Sequence, residues 1–97
     1  MNYVVHPEAE LDIAEALDFY KEQAGLVVAR RFLDEFERVA NLVDRNPEAG
    51  APLTKNRRIF PLRVFPYAVV YRIIEGRVQI LIVRHQRRKP GFGMRRS

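Results

Sequence analysis

Residues 65–85 read F-P-Y-A-V-V-Y-R-I-I-E-G-R-V-Q-I-L-I-V-R-H, the pattern of two long strands closed by a tight turn. Two runs rich in β-branched and aromatic residues flank Glu75-Gly76, a two-residue loop in which Gly76 supplies the positive φ of a tight hairpin turn. With the turn setting the register, Ile74 faces Arg77, Tyr71 faces Ile80, Val69 faces Ile82 and Tyr67 faces Arg84. Strict alternation then puts Tyr67, Val69, Tyr71, Ile73, Val78, Ile80 and Ile82 on one face. Ala68, Val70, Arg72, Gln79, Leu81, Val83 and His85 fall on the other. The first face is apolar and needs cover from within the chain. The second is mixed and is the expected place for function.

The cover comes from upstream. His6-Pro7-Glu8 opens a helix, with proline in its first turn and Glu8, Glu10 and Asp12 at the positive end of the helix dipole. Ile13, Leu17, Tyr20 and Ala24 form its apolar stripe, and Gly25 caps it. The helix carboxylates, Asp12 among them, are expected to line a solvated face. A second helix is predicted from about 26 to 45, with Val28, Phe32, Phe36, Val39 and Val43 as its stripe, stopped by Asn46-Pro47. Asn2 to Val5 is β-prone. Residues 47–56 read as a loop by their proline and glycine content. Residues 57–62 read as a short strand with Ile59 and Leu62 inward. The order β-α-α-β-β-β implies an α+β fold, an antiparallel sheet of three or four strands with a helical hairpin on one face, in a single domain over 1–97 with a basic tail from about 86.

Charge divides the chain. Residues 1–48 hold five Lys/Arg against eleven Asp/Glu, net −6. Residues 49–97 hold twelve against one, net +11, and together they give the chain's +5. An acidic partner or a polyanion is therefore expected at the hairpin half. There is no cysteine, and with two distant histidines a zinc site is not expected; no cofactor or metal is implied. No run approaches the roughly 18 apolar residues of a membrane span, and no signal-peptide pattern opens the chain. A soluble cytoplasmic protein is expected. There is no phosphate-cradling glycine loop and no serine-nucleophile motif. A basic cluster of Arg84, Arg87, Arg88, Lys89, Arg95 and Arg96 surrounds His85 and the tail, and it fits phosphate, acidic protein or mere solubility.

Three stretches carry a resemblance: H-P-E-A-E-L-D-I-A-E-A-L-D-F-Y (6–20), R-R-I-F-P-L-R-V-F-P-Y-A-V-V-Y-R (57–72) and V-R-H-Q-R-R-K-P-G-F (83–92). Together they resemble the RelE/ParE family, the toxin halves of bacterial type II toxin–antitoxin pairs. The resemblance implies growth arrest, held in check by a ParD-like antitoxin, with operator DNA met only through that antitoxin. It also implies one of two targets. RelE-like members cut messenger RNA on the ribosome; ParE-like members block DNA gyrase. The nuclease branch has an arginine after the first tyrosine of Tyr-x-x-x-Tyr, where this chain has Ala68, and a tail tyrosine where it offers Phe92. Losing a proton-transfer group forfeits on the order of 10²–10⁴ in rate, which favours the ParE branch. On that reading the antitoxin meets Ala68, Val70, Leu81 and Val83, with Arg63, Arg72 and Arg84 pairing to its acidic side, and Arg84, His85, Arg87, Arg88, Lys89 and Phe92 face the target. On the alternative, His85 with Arg84, Arg87 and Arg88 would carry ribonuclease chemistry.

Overall fold

The computed structural model describes residues 2–54 and 56–86. Its elements are β1 (Val4–Val5), α1 (Pro7–Ala24), α2 (Leu26–Arg45), β2 (Ala51–Thr54), β3 (Arg57–Pro61), β4 (Tyr67–Ile74) and β5 (Arg77–His85). The strands form one five-stranded sheet in the order β1-β5-β4-β3-β2. The helical hairpin packs on one face, so the α+β class expected from the sequence holds.

The strand count and the sheet differ from expectation in two ways. The segment read as a loop contains β2, because proline is compatible with an edge strand, where its missing N–H breaks no ladder; Pro52 sits there. β1 runs parallel to β5, so the sheet is mixed rather than wholly antiparallel. All other pairings are antiparallel.

The central hairpin turns as predicted, with Ile74 opposite Arg77 and both turn residues at positive φ (Glu75 51°, Gly76 76°). Its far half does not follow strict alternation. The register slips between Val70 and Tyr71, because Leu81 is an extra residue on β5, a β-bulge. Beyond it Val69 pairs with Val83, Ala68 with Arg84 and Tyr67 with His85. Every side chain from Ile82 to His85 therefore changes face relative to the unbulged reading. Val83, not Ile82, joins Tyr67, Val69, Tyr71, Val78 and Ile80 in the core. On β3 the inward residue is Phe60, opposite Val69; Ile59 pairs with Val70 and faces away, while Leu62 beyond the strand is buried as expected.

The helices reach this core differently. α2 uses its large side chains, with Phe32, Phe36, Val39 and Val43 buried as predicted. Phe32 meets Phe65 and Tyr67 edge-on at 5.3 and 5.1 Å, and Tyr20 closes the group against Phe65 at 5.1 Å. Edge-to-face pairs of this kind add about 0.5–1.5 kcal/mol each beyond their area. α1 buries the stripe Ala9, Asp12 and Ala16 instead, with Ile13, Leu17 and Tyr20 half-buried and Ala24 exposed. The two alanines let its backbone lie close to β5. His6 caps α1 by accepting from the Glu8 N–H at 3.1 Å, and Pro7 follows it. Gly25, at φ 96°, takes the corner between the helices and donates to the Tyr20 and Lys21 carbonyls.

Two polar anchors tie loops to the core. The Tyr71 hydroxyl donates to the Pro47 carbonyl at 2.7 Å and accepts from the Gly50 N–H at 2.9 Å; burial pushes its phenol pKa up, keeping the proton in place. A Cβ on Gly50 would stand 2.7 Å from that hydroxyl and 2.9 Å from the Ile59 carbonyl oxygen, so glycine is required by space there.

On α2, Glu35 accepts from Arg38 Nε and Nη2, both at 2.8 Å, and from the Arg63 N–H at 2.7 Å. The Arg38 hydrogen bonds, more than any other cause, hold its carboxyl below the ordinary glutamate value. A folded-state pKa below the unfolded value of about 4.3 contributes stability that is present above that value and lost as pH falls through the folded one. Thermal melts from neutral to acid pH are expected to show Glu35→Gln less stable at pH 7, with the gap to wild type closing in acid. A gap independent of pH would mean that the charge contributes nothing.

Candidate interaction face

The sheet face turned away from the helices follows from the pairing. It carries Arg57, Ile59 and Pro61 on β3, Ala68, Val70 and Arg72 on β4, and Gln79, Ile82 and Arg84 on β5. Arg57 lies opposite Arg72, and Arg72 Nε donates to Gln79 Oε1 at 3.0 Å. Among the described residues no strand carries an aspartate or glutamate, so this face is basic at both ends around an apolar middle. Arg63 sits in the β3–β4 loop with an exposed side chain, its N–H held by Glu35. The next residue, Val64, is 95 % exposed at φ 71°. A β-branched residue at positive φ is sterically strained, so the loop holds an apolar side chain outward at some cost.

The residues singled out for docking are only partly brought together. Ala68 and Val70 do share this face with Arg72 and Arg84, but they are 1 % and 0 % exposed, with Pro61 and Ile59 beside them on β3 and Arg84 and Ile82 on β5. Leu81, the bulge residue, is also buried and lies outside the helix-packed cluster. Val83 leaves the set: it packs under α1, and the bulge is the reason. The half-buried Ile59 and Ile82 take the place of an open apolar strip.

The bulge also separates Arg84 from His85, exchanging the faces assigned to them. Arg84 is exposed beside Ala68 on the basic face. His85 lies on the helix side, its ring edge-on to Tyr67 at 5.0 Å, in a cleft of about 180 Å³ shared with Asp12, Glu15, Phe19 and Val83. Arg87, Arg88, Lys89 and Phe92 lie outside the described residues. Among the described residues no cluster of histidine and carboxylate side chains could hold a metal.

Sequence reasoning missed Asp12. It is buried, and its Oδ2 accepts from the Val83 N–H at 3.0 Å, a contact across 71 positions. β1 is only two residues long and its last ladder bond is His6 N–H to the Ile80 carbonyl at 2.8 Å. Past Ile80 no strand of the described residues lies beside this edge of β5, and a side chain from the helix that follows β1 satisfies the Val83 N–H. The available signal was its place between Ala9 and Ala16 on one stripe.

The fold is similar to that of a solved chain described as "Chromosomal ParDE TA system from P. aeruginosa". The two superpose with a TM-score of 0.78 over 88 % of this chain and 95 % of that one, at 20 % identity, a likeness of fold. In sequence, residues 3–90 match the family model of the ParE toxin of the type II toxin–antitoxin system parDE. Toxin ParE2 of Mycobacterium tuberculosis, from strains CDC 1551 / Oshkosh and ATCC 25618 / H37Rv, is 35 % identical over 86 residues, covering 89 % of this chain and 82 % of the relative. The chain belongs to the ParE toxin family of type II toxin–antitoxin systems. No helix among the described residues is long and apolar enough to cross a membrane.

Proposed function

We propose that this ParE-family toxin acts in the cytoplasm, arrests growth by inhibiting DNA gyrase, and is neutralised by direct binding of a ParD-type antitoxin. The observation that carries the choice of target is Ala68. It stands on the basic face directly opposite Arg84, at the position where the RNA-cleaving branch needs an arginine, and is a buried methyl group. Arg84 is a cation beside it, but among the described residues no proton-transfer group joins Arg84 on that face. Tyr71 has its hydroxyl engaged by Pro47 and Gly50, and His85 points to the other side of the sheet from Arg84. Without a cation and a proton-transfer group converging on one phosphate, efficient RNA cleavage loses its basis. Arg84 and His85, together with Arg87, Arg88, Lys89 and Phe92 of the tail, are the proposed contacts to gyrase. Arg63, Arg72 and Arg84, around Ala68, Val70 and Leu81, are the proposed contacts to an acidic antitoxin segment. Opposite charges there would speed encounter as well as fix register.

The test pairs two assays on the purified toxin. Gyrase supercoiling is expected to be inhibited, and primer extension on ribosome-bound messages is expected to show no new ends. Added ParD-type antitoxin is expected to restore supercoiling. Codon-phased message cleavage with unimpaired supercoiling would overturn the proposal and assign the target to the ribosome.

A further inference from the structure

The sheet face opposite the helices carries four guanidinium groups and, on its strands, no carboxylate. Arg57 on β3 pairs with Arg72 on β4, Arg77 pairs with Ile74 beside the hairpin turn, and Arg84 pairs with Ala68 towards the other end. Arg57, Arg77 and Arg84 are exposed, and Arg72 is half-buried. Arg72 Nε turns to Gln79 Oε1 at 3.0 Å, towards β5, the strand that carries Arg77 and Arg84. Among the described residues the ion pairs, Arg30–Asp34 and Arg38–Glu35, both lie on α2, so neither neutralises this set. Glu75, in the turn, is the single acid of residues 49–97, against twelve Lys/Arg. At roughly 3.3 Å per residue, Arg77 lies about 7 Å to one side of the Arg57–Arg72 level and Arg84 about 13 Å to the other. The cations therefore extend over about 20 Å of sheet.

We infer that this face binds the phosphodiester backbone of duplex DNA without reading its sequence, with Arg57, Arg72, Arg77 and Arg84 each neutralising a phosphate. Three features select that occupant. The cations span the axial length of about six base pairs, and Arg57 and Arg77 lie outside the antitoxin contacts proposed above. The middle of the face is closed by buried Ala68, Val70 and Leu81, so what it presents is chiefly charge, and charge with reach is what phosphate contacts draw on. Gln79 is the one amide side chain on the strands, and its oxygen is already engaged by Arg72, which leaves little to read a base edge. The layering also orients the encounter. The helices, in the half of the chain with net −6, lie on the other side of the sheet, so a polyanion draws the basic face towards itself. The inference rests on the gyrase reading only for where the DNA is met, since gyrase acts on duplex DNA.

Fluorescence anisotropy on the full chain tests it, with a duplex of about 20 base pairs titrated at several salt concentrations. The plot of log affinity against log salt is expected to fall steeply, and Arg57→Gln, Arg77→Gln and Arg84→Gln are each expected to make its slope shallower by about 1. Arg84→Lys keeps the charge and is expected to keep the slope, a rescue that a purely structural role of the guanidinium would not show. Arg30→Gln makes the same change in net charge on the exposed side of α2 and is the control, expected to leave the slope unchanged. A duplex of permuted sequence is expected to bind equally. No binding, slopes that the three sheet variants leave unchanged, or a strong preference for one sequence would each overturn the proposal. So would a polyglutamate peptide, or a single-stranded RNA, that binds more tightly through the same arginines. Supercoiling separates this inference from the gyrase reading. A toxin that binds the duplex through these arginines yet leaves gyrase unimpaired would sink the gyrase reading and leave the DNA face standing. Gyrase inhibition by a toxin that binds no duplex would do the reverse.

Discussion

Replacing Phe32 with alanine is expected to leave a protein that barely folds. Phe32 is fully buried at the point where α2, the β3–β4 loop and β4 meet, with Tyr20, Phe65 and Tyr67 around its ring. Truncating a buried phenylalanine costs about 3–5 kcal/mol, from lost transfer energy and from the cavity that rigid neighbours cannot fill. Domains of this kind have roughly 5–15 kcal/mol in total, so the loss takes a large share of it. Urea denaturation followed by circular dichroism is expected to show the midpoint moved far down, with Phe32→Leu retaining most of the stability. A shift no larger than that of an exposed helix position would mean that the aromatic group does not hold the hairpin to the sheet.

Asp12→Ala is expected to cost about 1–3 kcal/mol, an effect no surface carboxylate would have. It removes the acceptor for the Val83 N–H and leaves that donor buried under α1. Asp12→Asn keeps an acceptor oxygen and is expected to recover part of the loss, while Glu10→Ala, at an exposed position two residues earlier, is expected to change little. Amide hydrogen exchange gives a local readout: Val83 is expected to lose protection in Asp12→Ala beyond the global change in stability. Unchanged protection would show that the carboxylate is not what shields this edge of β5.

Asp12 also marks the boundary of what periodicity can reveal. Its place on the α1 stripe was readable, but its role depends on β1 ending after two residues and leaving the next donor of β5 unpaired. The same holds for β2, whose proline reads as a loop signal in the chain and is harmless on the sheet's outer edge. Of the candidate site, the arginines of the basic face were legible because their surroundings contain almost no acid. The cross-strand partnership of Arg57 with Arg72 was not, since it required the β3–β4 register.

The helical hairpin, the Glu75-Gly76 turn, the near half of the central hairpin, the division into acidic and basic halves, and the family were all legible in the chain. These rest on local signals: caps, turn glycines, and a side-chain repeat that changes from helix to strand. Tertiary structure alone decided which face each residue beyond the bulge occupies. Ile80, Leu81, Ile82 and Val83 form an uninterrupted apolar run, and in such a run an extra residue leaves no mark on the alternation. The insertion at Leu81 becomes visible only when β4 supplies its partners and α1 must find an apolar side chain beneath it. Val83 then turns inward, His85 follows it, and Arg84 turns out to the basic face.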